Sequence, residues 1–279
     1  MSVSSRFRRA RSSLMERFGS AFLGAEAVLV YLFLYVPVFI LVALSFNDSR
    51  YAIVWQGFTT EWYADLLRGE SIGRVDPNVA WTALQHSVEI AVVTVLVSVV
   101  FGTMLALALD RYEFPGKQLF QGVVYMPLII PSIVMGISLL IFFNMAGFTQ
   151  GIGTAIIGHI AFDISYVTVI VLARLQSFDR TMEEAAMDLG ATEFETFRWV
   201  TFPLIKPGII AGALLGFALS FDDFVVTFFI IGNETTLPIF FFSMVRQGIS
   251  PGVNVVATII LFITLALILL AQKVEGITW

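Results

Sequence analysis

An all-α integral membrane protein with about six transmembrane helices is the fold class the sequence predicts, and three observations carry it. Of the 279 residues, 58% are hydrophobic and only 13% charged, with a mean hydropathy of +0.87. Soluble domains are usually about 45–50% apolar and about 25% charged, so lipid is the solvent for most of this chain. Six stretches approach the roughly 20 apolar residues that cross a bilayer: Val28–Phe46, Ile90–Leu109, Val123–Phe143, Thr154–Ala173, Ile209–Ile231 and Val255–Gln272. Lys and Arg are also asymmetric across them. With the N-terminus inside, twelve of the sixteen fall in cytoplasmic segments, and only Arg50, Arg68, Arg74 and Arg246 fall outside. The positive-inside rule then places both termini in the cytoplasm.

The first span follows a basic stretch, as a secretory signal does. Yet Val28–Phe46 exceeds the usual apolar region of a cleaved signal and no small-x-small site follows it. It reads as a retained helix. Residues 1–27 form a basic cytoplasmic segment, which either lies on anionic headgroups or is a disordered tail. Residues 28–272 form the transmembrane domain, with a charged loop at 174–208, and residues 273–279 a cytoplasmic tail. The third span carries Pro127 and Pro131. Each removes a backbone donor, and in lipid such a defect needs neighbouring helices or a hydrated cavity. A kinked, interior helix is expected there.

The fifth span says most. Gly208, Gly212, Gly216 and Ser220 recur every four residues. At about 100° per residue they make a stripe roughly 120° wide, and small residues at this spacing let two helices approach closely. Phe217, Phe221, Phe224 and Phe228 fall on the opposite side. Asp222 and Asp223 sit near the midpoint of the span, with Asp223 on the small-residue stripe and Asp222 about 100° away. A charge at the bilayer centre costs about 2.5–3.5 kcal/mol on insertion scales, so the pair needs protein, water or cation partners. Two expectations stand side by side: these aspartates and the flanking Phe221 and Phe224 favour a cation on a translocation path, or Asp223 is packing polarity at a helix interface.

In the cytoplasmic loop, Ala185, Ala186, Leu189, Phe194 and Phe197 can share a helix face, with acidic residues opposite. Such a ridge fits a partner surface or a membrane interface. The loop also contains Glu184-Ala185-Ala186, then Gly190 after three residues, then Val200-Thr201-Phe202-Pro203 after nine more. This pattern resembles the EAA motif of importer permeases of the ATP-binding-cassette (ABC) class, with Val200 and Phe202 in place of Ile and Leu. The resemblance extends through SFNDSRY at 45–51, LDRYEFPGK at 109–117 and LSFDDFVVTFFIIG at 219–232, which look like the spermidine/putrescine permease subfamily. It implies a type I ABC importer permease in which Glu183, Glu184, Ala185, Ala186, Gly190 and Pro203 belong to a coupling helix and its flank. It further implies an ATPase dimer, a second permease subunit of different sequence and an extracytoplasmic binding protein as partners, and a polyamine or another small solute as cargo. The stretch Arg68–Asn78 has no place in that pattern.

Other classes are excluded or disfavoured. A net charge of −5 gives no nucleic-acid footprint. There is no cysteine, and His86 and His159 are too isolated for a zinc site, so neither metal nor cofactor is expected. No G-x-x-x-x-G-K-[ST] loop occurs, since Gly116-Lys117 is followed by Gln118; the chain is not expected to hydrolyse ATP or to be an enzyme. A secondary transporter using the embedded aspartates remains an alternative, disfavoured by the lack of an internal repeat. An intramembrane aspartyl protease would need facing carboxylates, for which Asp163 and Asp223 are the candidates. On the outer side, Trp55, Trp62, Tyr63 and Phe240–Phe242 line the segments Tyr51–Leu67 and Leu237–Gln247, either to meet a binding protein or as an interfacial aromatic belt.

Overall fold

The computed structural model describes residues 3–49, 54–73, 75–248 and 250–275, with side chains described at 22–49, 54–73, 75–246, 248 and 250–266. Arg50, Tyr51, Arg74, the side chains of the N-terminal arginines and of Lys273, and tail residues 276–279 therefore lie outside the described residues. Among the described residues the regular structure is helical, apart from two isolated bridges, Asn47 with Phe58 and Ile72 with Val75.

In chain order the helices are α1 (Val3–Leu44), α2 (Glu61–Arg68), α3 (Pro77–Arg111), α4 (Lys117–Ile129), α5 (Ser132–Met145), α6 (Ile152–Leu175), α7 (Thr181–Asp188), α8 (Glu193–Thr196), α9 (Phe202–Asp222), α10 (Val225–Ile230), α11 (Leu237–Gln247) and α12 (Pro251–Glu275). A π-helical turn at Phe197–Thr201 joins α8 to α9. Among the described residues four segments are long and apolar enough to cross a membrane: Phe22–Leu44, Pro77–Arg111, Ile152–Leu175 and Glu193–Asp222. Helices α4 and α5 add a fifth as a pair bent by 108°. In α12 the described apolar part is Pro251–Ala266.

Two expected spans are not single helices. At Ile130–Pro131 the chain turns extended, with ψ of 128° and 133°, so the expected kink is a full break. Pro131 is the cause: its missing N–H ends one ladder, and the residue before a proline is pushed out of the α region. The fifth expected span breaks at Asp223, whose ψ is 118°. The two aspartates thus sit at the end of a helix rather than in its middle.

The chain forms two compact units, Met1–Pro77 with Arg246–Trp279, and Asn78–Val245. In the first, α12 packs on α1 and α2. The face of α1 is bare, with every residue from Phe22 to Ile40 exposed. The loop that follows α1 is tied to itself: Asn47 donates Nδ2–H to Val54 O at 2.8 Å and accepts Gln56 N–H at 2.9 Å. Trp62 Nε1 donates to Asn47 O at 2.9 Å, and Phe46 stacks on Phe58 and Tyr63. The unplaced stretch at 68–78 has a packing role. Ile72 and Val75 are fully buried, and a Cβ on Gly252 would stand 2.6 Å from Ile72 O, so the turn rests directly on the start of α12.

The second unit is built around α6. Helix α9 runs along it, and α10 packs on α5 and α6. Two apolar clusters form. One joins Ile90, Phe143, Ala155, Phe162, Val226, Ile230 and Ile231; the other joins Ala106, Leu109, Val167, Val171, Leu172, Leu175 and Ile205. His159 and Asp163, both buried, lie on α6 beside Phe162 and before the second cluster begins. A buried face of α3, including Ser87, Ala91, Thr94, Ser98, Gly102 and Ala106, also consists of small residues. A Cβ on Gly102 would stand 2.8 Å from Val167 Cβ, so the approach of α3 to α6 requires glycine there.

Candidate functional site

The charged loop begins with α7. Its end is a Schellman turn: Gly190 N–H bonds Met187 O at 2.9 Å and Ala191 N–H bonds Ala186 O at 3.1 Å. Gly190 has φ of +92°, which an L side chain adopts only with strain, although nothing lies within 4 Å of where its Cβ would be. Helix α8 opens with a capping box, Thr192 Oγ1 accepting Glu195 N–H and Glu195 Oε2 accepting Thr192 N–H at 2.8 Å.

Adjacent glutamates in α7 face different ways, about 100° apart. Glu183 is buried; it accepts from Arg111 Nη2 at 2.5 Å and from the Thr201 hydroxyl. Arg180 Nη2 adds bonds to Asp110 O and Oδ2 at 2.8 and 2.9 Å. Glu183 therefore fastens the loop to the end of α3 and the start of α9. Glu184, Ala185, Leu189 and Phe194 are exposed, whereas Ala186 and Phe197 are half-buried. Leu189 is 90% exposed and Phe194 69%, so the loop presents an apolar ridge among exposed acids, Glu184 beside it. Pro203 sits in the first turn of α9, where its lack of an N–H costs nothing. A cavity of about 400 Å³ lies behind the ridge, walled by Leu107, Arg111, Glu183, Phe197 and Thr201 among others.

Gly208, Gly212, Gly216 and Ser220 are all buried on α9. Cβ atoms there would face Arg174 Cβ at 2.7 Å, Val167 Cγ1 at 3.4 Å and Asp163 Oδ2 at 3.4 Å for the three glycines in turn. Ser220 Oγ meets His159 Nδ1 at 2.7 Å. The stripe thus descends one face of α6. Asp163 is fully buried, with neither carboxylate oxygen hydrogen-bonded among the described residues.

Where α9 stops, Asp223 Oδ2 accepts the backbone N–H and the hydroxyl of Thr227, each at 2.8 Å. The N–H is one of the donors a new helix start leaves open, so Asp223 both ends α9 and satisfies a donor in the first turn of α10. His159 Nε2 lies 2.8 Å from Thr227 Oγ1 and 3.5 Å from Asp223 Oδ2. A cavity of about 240 Å³ opens beside it, walled by Pro127, Pro131, Ser132, Phe162, Tyr166 and Asp223 among others. The two breaks, at Pro131 and Asp223, therefore meet at one space.

Of the four residues expected on a path, Asp223 alone lines this cavity. Asp222 is exposed, Phe221 stacks on Phe217 at 5.7 Å, and Phe224 packs on Phe242 at 4.6 Å. The break removes Phe224 and Phe228 from the aromatic side of α9, opposite the small-residue stripe. Asp163 does not line the cavity either, so the two aspartates do not face one another across it as a protease would need. His159 escaped the sequence argument because its partners are 61 and 68 residues distant.

Comparison with known proteins agrees with this architecture. Residues 98–274 match the family described as binding-protein-dependent transport system inner membrane component. The chain is 40% identical over 252 residues to the spermidine/putrescine transport system permease protein PotC of Escherichia coli (strain K12), covering 90% of this chain and 92% of that one. It is 39% identical over 242 residues to the putrescine transport system permease protein PotI of the same strain, covering 84% and 83%. Among solved structures, a chain of a bacterial alginate ABC transporter in complex with alginate pentasaccharide-bound periplasmic protein superposes with a TM-score of 0.69 at 16% identity, covering 94% of this chain and 95% of that one. At that identity the likeness is one of fold, and the fold is that of a type I importer permease. This chain belongs to the binding-protein-dependent transport system inner membrane component family, whose members are permease subunits of ABC importers.

Proposed function

We propose that this permease carries a polyamine, spermidine or putrescine, across the inner membrane, using ATP hydrolysed by a partner subunit. The observation that carries the cationic cargo is the Asp223 carboxylate, held at a helix break on the wall of a cavity between apolar helices. Ammonium groups that lose hydration need anionic or aromatic partners there, and Phe162 and Tyr166 supply aromatic wall. The names of the relatives point to the same class of solute. Broken helices with embedded acids also occur in secondary transporters; membership of the importer family favours the ATP-driven reading.

The outward ridge of Ala185, Leu189 and Phe194 with Glu184 is the surface offered to the ATPase, and Glu183 with Gly190 gives that ridge its shape. The bare face of α1 supports contact with lipid and a second permease chain. Both termini are cytoplasmic in this proposal, and an extracytoplasmic binding protein delivers the solute. The test is uptake by the assembled transporter with Asp223→Asn, which keeps shape and removes charge. Reduced polyamine uptake with intact assembly supports the cation path, and parental uptake rejects it.

A further inference from the structure

The polar cluster at the break has a fixed direction. Thr227 Oγ1 gives its one proton to Asp223 Oδ2 at 2.8 Å. A hydroxyl has no second proton, so towards His159 it accepts. His159 Nε2, at 2.8 Å, must then carry N–H. In a neutral ring Nδ1 accepts, and Ser220 Oγ at 2.7 Å is the donor. With the ring neutral, the order is Ser220 to His159 to Thr227 to Asp223, with every step pointing its proton towards the carboxylate. His159 is 1% exposed and touches both sides of the break, Ser220 on α9 and Thr227 on α10. The bonds from Thr227 both fall on Oδ2.

We propose that His159, acting through Thr227, is a positioning residue for the cargo's ammonium group: it fixes Asp223 so that Oδ1 is presented to the cation in the cavity beside Pro131 and Tyr166. This rests on the cation path proposed above. The chain of bonds does two things for it. It anchors the two halves of an interrupted helix to α6, so the carboxylate keeps one place. It also saturates Oδ2 with donors, leaving the other oxygen for the ligand. A buried histidine that only filled space would need neither a polarised Thr227 nor a contact on each side of the break.

The test is a mutant cycle in the complete transporter, reading initial spermidine uptake in proteoliposomes and the yield of assembled complex. His159→Leu is expected to assemble and to lower uptake about tenfold, the scale of one hydrogen bond to a charged group. Because it acts through Asp223, it should add little when Asp223→Asn is already present. Thr227→Val should reproduce the loss, and Thr227→Ser, which keeps the hydroxyl, should recover most of it. Parental uptake by His159→Leu, or a further tenfold loss on top of Asp223→Asn, overturns the inference while leaving the cation path standing. Parental uptake by Asp223→Asn alone defeats the cation path itself and the inference with it. If the His159 variant does not assemble, the Thr227 pair decides, and equal uptake by Thr227→Val and Thr227→Ser overturns the inference.

Discussion

Glu183 Oε1 lies 2.5 Å from Arg111 Nη2, joining the first turn of α7 to the end of α3 across 72 residues of sequence. The neighbouring Glu184 is exposed. Two adjacent acids therefore differ in what their loss does. Removing one partner of a buried ion pair leaves the other uncompensated, at about 3–5 kcal/mol, and the 23% exposure of the Arg111 side chain puts this pair at the low end. Glu183→Ala should destabilise the purified complex by about 3 kcal/mol, read as a lower Tm and a lower membrane yield. Glu184→Ala should stay within about 0.5 kcal/mol and act on coupling instead. Equal Tm values for the two variants would show that the inward and outward assignment is wrong.

Gly190→Asp is predicted to separate ATP hydrolysis from transport. The site has open space around it but a φ of +92°, so the cost is backbone strain of about 1–3 kcal/mol, borne at the turn that sets the ridge. The complex should still be recovered from membranes, with ATPase turnover no longer matched by uptake. Normal coupling in this variant would remove the ridge from the contact with the ATPase.

The glycines of α9 should not respond alike. A Cβ on Gly208 would stand 2.7 Å from Arg174 Cβ, whereas on Gly212 and Gly216 it would make ordinary contacts of 3.4 Å or more. Gly212→Ala and Gly216→Ala should be tolerated. Gly208→Ala should cost about 1–3 kcal/mol, the scale of overpacking, and Gly212→Leu should block assembly. Thermal unfolding of detergent-purified complex distinguishes these outcomes, and equal tolerance of alanine at 208 and 212 would contradict the packing described.

Much of this arrangement is legible in the sequence because it rests on local periods. The four-residue repeat of Gly208, Gly212, Gly216 and Ser220 reports the face that meets α6, and the spacing of Glu184, Gly190 and Pro203 reports the loop. What is not legible depends on partners far apart in the chain. No glycine or proline marks the break at Asp223; it exists because that carboxylate captures the N–H and hydroxyl of Thr227. Pro131 did mark its own break, though periodicity cannot distinguish a kink from a 108° turn. His159 looked isolated because helix α6 supplies the residue and α9 and α10 supply its partners. In the stretch at 68–78, Ile72 and Val75 were hidden among charged residues until α12 was seen to cover them.

Topology can be read with introduced cysteines, since the chain has none of its own. Leu67 and Leu189 are the sites to use, being 89% and 90% exposed. In intact cells an impermeant thiol reagent should label Leu67→Cys and not Leu189→Cys, with both labelled after permeabilisation. Labelling at 189 in intact cells would place the loop outside and dismiss the contact with a cytoplasmic ATPase.

Proteoliposomes holding the complete transporter, with loaded binding protein on one side and ATP on the side of the ATPase, give the most direct measurement. Radiolabelled spermidine should accumulate only when ATP is present, and Asp223→Asn should slow that accumulation about tenfold or more, the scale of a lost charged contact. Accumulation that is indifferent to ATP, or an Asp223→Asn transporter that works at the parental rate, would contradict an ATP-driven cation path through the broken helix.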